Sequence, residues 1–311
     1  YGTLVLWDRA NNDVNFMSGP IQSNQGFDQK LDQVNGIYNF RNIYFGKGTQ
    51  IGNITLAGYT LATSNTSEQP LIFNATDNIV VFTGTNINST GYNGSALSQG
   101  YGSGPGGAPS VSYYSNGAGH GGRGGSGAAG QGNGTIYGSL FNPRTYGSGG
   151  GSHTTNSPGN PGGAAVKLLA KGNITINGTL NLSGIGYVTG FGGGGSGGSI
   201  FINGFNVSGA GKIISNGGTG SVNGAGGGAG GRIAVYSRAY YPFSGNISYS
   251  GGNMIASGWN GESGTYYTAV APQFNITSPA NTTYYSLAVP LQFTPYNFFN
   301  NTVNCTRTLD G

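Results

Sequence analysis

Charge is scarce in this chain. Asp, Glu, Lys and Arg make up 6% of it, where a soluble protein carries about 25%. Solubility must therefore come from something other than ionised side chains. The formal net charge of +4 is thinly spread, which argues against a nucleic-acid or anionic-membrane partner. Cysteine is nearly absent. Cys305 stands alone, so no internal disulfide forms and its partner is open. No apolar run approaches the roughly 18 residues that a membrane span needs, and no stretch shows the apolar stripe of an amphipathic helix.

Glycine and aromatics are what the sequence has. The 64 Gly and 12 Pro make up about a quarter of 311 residues, near the level at which an aperiodic chain is suspected of disorder. Aromatics nevertheless reach 12%, with 20 Tyr, and the apolar positions are patterned, so the chain is expected to fold. Tyr has two readings: packing on glycine faces, or exposed contacts to sugars or subunits together with Trp259.

Sequons offer a substitute for charge. Asn-x-Ser/Thr occurs at Asn53, Asn65, Asn74, Asn88, Asn93, Asn133, Asn173, Asn177, Asn181, Asn206, Asn246, Asn275, Asn281, Asn300 and Asn304. N-linked glycans solubilise a surface and imply secretion. The expected location is therefore extracellular, at a cell surface. The first residue is Tyr1, which fits a removed signal peptide or a fragment boundary.

The strongest internal signal is a repeat. Asn173–Ile202 aligns without gaps on Asn206–Val235 at an offset of 33 residues, with Ile174 on Val207, Leu180 on Ile213 and Ile200 on Ile233. A shorter copy follows at Gly245–Asn253. Each copy reads as alternating strands, a glycine turn, a long glycine run and a closing strand. Such a period suggests units that bury their apolar faces by stacking on one another. The expected fold class is all-β: a right-handed parallel β-helix over residues 1–271, with a glycine-rich insert at about 92–163. Residues 272–311 are Pro-punctuated and free of glycine runs, and read as a partial immunoglobulin-like β-sandwich.

The glycine blocks Gly102–Ala108, Gly117–Gly125, Gly147–Gly151, Gly192–Ile202 and Gly226–Tyr236 carry a resemblance. In order and content they are similar to secreted glycine-rich parallel β-helix modules of archaeal and bacterial surface proteins. The tail resembles the first strands of an archaeal immunoglobulin-like repeat, in which the cysteine usually pairs with a later strand. The resemblance implies an extracellular scaffold and supplies no catalytic residue.

Chemistry is sparse by type. The acids are Asp8, Asp13, Asp28, Asp32, Glu68, Asp77, Glu262 and Asp310, and none lies in the repeat. Glycosidic cleavage needs two positioned carboxylates, and a calcium site needs several oxygen ligands. His120 and His153 sit in glycine-rich stretches without Cys or acids nearby, so loop exposure or aromatic packing is expected and a metal pair is not. The two G-x-G-x-x-G matches at Gly102–Gly107 and Gly117–Gly122 lack a strand–helix context. No catalytic residue, cofactor or metal is assigned, and the expectation is that the chain is not an enzyme. It reads instead as a structural glycoprotein of a surface filament or layer, alternatively an adhesin domain, with a polysaccharide-active enzyme third. Self-association, or contact with other surface proteins, would use Phe274, Ile276, Leu291, Phe293 and Phe298, the open apolar face of the partial sandwich.

Overall fold

The computed structural model describes residues 2–8, 10–19, 37–47, 52–55, 70–95, 101–111, 114–128, 133–152, 158–186, 191–255, 258–270, 273–278 and 292–296. Among these the regular elements are strands. The repeat read from the sequence appears directly as strand register. Ile174 pairs with Val207, Leu180 with Ile213 and Ile200 with Ile233, all in parallel. Alternation does the rest, since every second side chain of a strand points to one face. Ile174, Ile176, Leu180, Ile200, Ile202, Ile213, Ile233 and Val235 are all fully buried. Each buried aliphatic side chain of this size stabilises by about 1.5–3 kcal/mol.

Three ladders surround the core. The first runs through Ile37–Phe40, Leu71–Ala75, Ala165–Ala170, Ser199–Ser208, Arg232–Tyr240 and Thr265–Val270. The second runs through Asp13–Gly19, Asn42–Phe45, Ile79–Val81, Ile174–Ile176 and the far end of Ser199–Ser208. It is capped by Gly2–Asp8, which pairs antiparallel with Asp13–Gly19. The third runs through Gly52–Thr55, Thr85–Asn88, Thr179–Asn181, Lys212–Ile214 and Asn246–Ser248. Ser199–Ser208 belongs to two ladders, so the first and second are one bent 11-stranded sheet. At the bend an asparagine ladder ties neighbours together. Asn78 donates to Asn42 Oδ1 at 3.2 Å, the Asn173 backbone N–H donates to Asn78 Oδ1 at 2.9 Å, and Asn206 donates to Asn173 Oδ1 at 2.8 Å. Asn173 and Asn206, both in sequons, thus serve as rungs between copies.

The fourth side is glycine. Its segments carry no side chains to fill space, so their backbones bond to one another. Gly194 N–H donates to Gly226 O, Gly218 to Gly195 O, Gly228 to Gly218 O, Gly125 to Gly227 O and Gly117 to Gly125 O. These runs are buried. The approach is so close that a Cβ on Gly194 would lie 2.0 Å from Gly218 O, and one on Gly228 would lie 2.0 Å from Gly195 O. Only glycine fits such contacts.

These features correct the expected architecture. The open right-handed solenoid carrying an insert, with a partial immunoglobulin-like sandwich behind it, is replaced by an all-β, mainly parallel, nearly closed enclosure. The described residues of 91–163 are not an appendage. Gly147 donates to Gly163 O, Gly163 to Ser196 O, and Ala118 to Gly194 O, so the segment is woven into the same glycine wall. The physical reason is the backbone: without Cβ atoms, glycine runs pair their amides in three dimensions and close the side that strands leave open. Among the described residues of the C-terminal end no sandwich is formed. Gln273–Ser278 pairs antiparallel with Gln292–Tyr296 as two strands. Leu291 and Phe298 lie outside the described residues, as do the side chains of Phe274, Ile276 and Phe293, so the apolar-face argument has no support in this structure.

Candidate functional site

Among its described residues the glycine wall holds a buried imidazole. His120 is fully buried, between Gly119 and Gly121. Its Nδ1 lies 2.6 Å from the Gly197 carbonyl oxygen and its Nε2 lies 2.9 Å from Thr145 Oγ1. A carbonyl only accepts, so Nδ1 carries the hydrogen and Nε2 presents its lone pair. The Thr145 hydroxyl therefore donates into Nε2. Ser199 Oγ donates to the Thr145 carbonyl at 2.6 Å and stands 3.5 Å from Nε2. The Tyr137 ring packs on the imidazole with centroids 4.6 Å apart.

Arg232 completes the cluster. Its Nε donates to Tyr137 O at 2.7 Å, Nη1 to Thr265 Oγ1 at 3.2 Å and Nη2 to His120 O at 3.3 Å. Register explains its place. Ser199, Arg232 and Thr265 are direct neighbours across three parallel strands and point outward, while Ile200, Ile233 and Tyr266 point to the core. The chain at 137–145 lies over this row. Gly138 there is exposed and has φ +79°. A Cβ built on it would lie 2.6 Å from Thr145 Oγ1 and 3.4 Å from both Arg232 Nε and His120 Nε2. Glycine at 138 thus lets the backbone pack against the hydroxyl, and Thr145 is half-buried.

Burial pushes the imidazole pKa down to about 3, and the Arg232 charge adds to this, while the bond to Gly197 opposes it. The ring is therefore neutral over the physiological range. Burial also lowers the pKa of Arg232.

This network overturns the expectation of a chain without site chemistry that serves only as a filament, layer or adhesin scaffold. It is a buried polar arrangement of the kind an active site uses, so the non-enzyme reading is corrected. The sequence left His120 to loop exposure or aromatic packing; the Tyr137 contact is real, but the hydrogen bonds were missed. The partners stand 25, 79 and 112 residues away, and no local motif signals such a meeting. The acids with described side chains do not join it. Asp13 pairs with Arg41 at 3.1 Å, and Glu262 accepts from Arg123 N–H at 2.9 Å. His153, Asp28, Asp32, Glu68 and Asp310 lie outside the described residues, among which no group of three or more His, Cys, Asp or Glu could hold a metal.

No family model, curated protein or solved structure matches the chain. The nearly closed, mainly parallel architecture overturns the resemblance to glycine-rich β-helix surface modules and to an immunoglobulin-like repeat, and the site rests on its own geometry.

Of the sequons, Asn93, Asn133, Asn173, Asn177 and Asn246 are exposed; Asn74, Asn88, Asn181 and Asn206 are half-buried. Asn65, Asn281, Asn300 and Asn304 lie outside the described residues, as do the side chains of Asn53 and Asn275.

Proposed function

We propose that the chain is an enzyme of the hydroxyl-nucleophile type, with Thr145 as nucleophile and His120 as general base. One observation carries this reading. The Gly197 carbonyl fixes the His120 tautomer, so that Nε2 accepts the proton of the hydroxyl of Thr145, a half-buried residue. The reaction class is acyl transfer or ester hydrolysis. Thr145 Oγ1 attacks the acyl carbonyl as its proton passes to Nε2. The tetrahedral adduct then expels an alcohol, which takes that proton from Nε2. Water hydrolyses acyl-Thr145 by the same path, with the same base. The Arg232 charge stabilises the oxyanion. A base with a pKa of about 3 is a weak proton acceptor, so turnover is expected to be slow, and flat with pH from 5 to 8.

The test is labelling with a fluorophosphonate followed by intact mass. One adduct is expected on the native chain, kept in Thr145→Ser and lost in Thr145→Ala. Absence of an adduct, together with no turnover of an ester panel, rejects the reading.

Full burial of His120 favours a second reading, in which the cluster is a clamp holding 137–145 on the sheet. Thr145→Ala then lowers stability, and the native chain takes no label.

We also propose extracellular placement with N-linked glycans. The exposed sequons support it. The measurement is the mass of native material, expected above the 31.5 kDa of the polypeptide.

A further inference from the structure

The outer face of the first ladder continues away from His120. Phe201 and Tyr236 have ring centroids 5.4 Å apart, Tyr236 and Tyr267 5.6 Å, and Tyr267 and Phe141 4.9 Å. All are partly accessible, and Phe141 is 56% exposed. Lys167 Nζ lies 4.9 Å above the Phe201 ring. Neighbouring strands step by about 4.8 Å, so these rings form a stripe across the sheet. Two residues further along the same strands, a cleft of about 220 Å³ is lined by Asn74, Leu169, Ala170, Lys171, Asn203 and Arg238. Asn203 is the register neighbour of Tyr236, so stripe and cleft are one surface. The lining has two cations, two amides and no carboxylate. Arg238 is held in place by donating to Ala170 O at 2.6 Å and Lys171 O at 2.7 Å. Burial lowers the pKa of Lys167, and the nearby Arg144 charge adds to this.

We infer that this face binds an acidic oligosaccharide. Sugar rings have apolar faces that stack on aromatics, hydroxyls that pair with amides, and, in a uronic-acid chain, carboxylates that pair with Arg and Lys. The charge of the cleft selects the acidic class over a neutral glycan. The inference goes beyond the acyl-transfer reading and does not depend on Thr145.

Titration of the full chain with oligogalacturonate, followed by tyrosine fluorescence and calorimetry, tests it. Saturable binding is expected, weakening as salt rises. Phe201→Ala should weaken it roughly tenfold, the scale of one lost aromatic contact. Lys171→Gln and Arg238→Gln, both on exposed side chains, should weaken it and flatten the salt dependence. Thr145→Ala should leave binding unchanged, and Lys171→Gln should leave fluorophosphonate labelling unchanged, so the two proposals fail separately. Equal affinity for a neutral oligoglucan, binding indifferent to all three face variants, or binding to phosphatidylserine vesicles but not to the oligosaccharide would each overturn the inference.

Discussion

Two buried regions of this molecule are held by opposite means. The strand core is filled by side chains such as Ile174, Ile200 and Ile233, and its order comes from apolar burial. The glycine wall has almost no side chains, and its order comes from backbone amides that bond to one another across segments distant in sequence. A net hydrogen bond contributes only about 1 kcal/mol, while glycine loses the most conformational freedom on folding. The wall is therefore stable only as a lattice leaning on the core, and it tolerates error differently. A core loses stability when atoms are removed; the wall loses it when atoms are added.

The largest expected effect follows from that difference. Gly228→Ala adds one methyl carbon, which would lie 2.0 Å from Gly195 O. Loss of the folded state, or destabilisation above about 4 kcal/mol, is expected by chemical denaturation. Ordinary Gly→Ala behaviour here would break the comparison.

An intermediate effect comes from a buried imidazole in the wall. His120 has a folded pKa near 3, against about 6.5 when unfolded. Above pH 6.5 both states hold it neutral. Below that the unfolded chain takes up a proton that the folded chain refuses, so stability falls as pH drops toward 3. The loss is on the order of 3 kcal/mol at pH 4. Acid should also open the wall before the core, since amides of 117–125 would exchange hydrogen ahead of those of 199–202. A His120→Gln chain whose stability has the same slope between pH 4 and 6 would refute this assignment.

The smallest effect sharpens the core side. Ile200→Val removes one methylene from a fully buried position and should cost about 0.5–1.5 kcal/mol, with midpoint shifted and slope unchanged in urea. A cost equal to that of Gly228→Ala would mean that core and wall are not distinct.

Much of the core was legible because its signal is local and periodic. Alternation at Ile174 and Ile176, repeated 33 residues later, states both the face and the neighbour, since a strand slipped by one residue would turn every apolar side chain outward. The glycine runs gave no such signal. A run without side chains has no periodicity to read, and the same blocks suit a mobile insert or a bonded wall. That choice is made by partners such as Gly194 with Gly226, and Gly163 with Ser196.

The candidate site was hidden for a related reason. His120, Thr145, Ser199 and Arg232 lie in four different segments, and no local pattern says that these segments meet. The sequence by itself determined the strands, their parallel register and the identity of the core, because burial acts on each apolar residue where it stands. Only the tertiary structure decided that the glycine side closes, that a neutral imidazole is trapped inside it, and that Thr145 meets that imidazole beneath Gly138. Those outcomes depend on pairing between distant backbones, and an amide carries no mark of the carbonyl it will find.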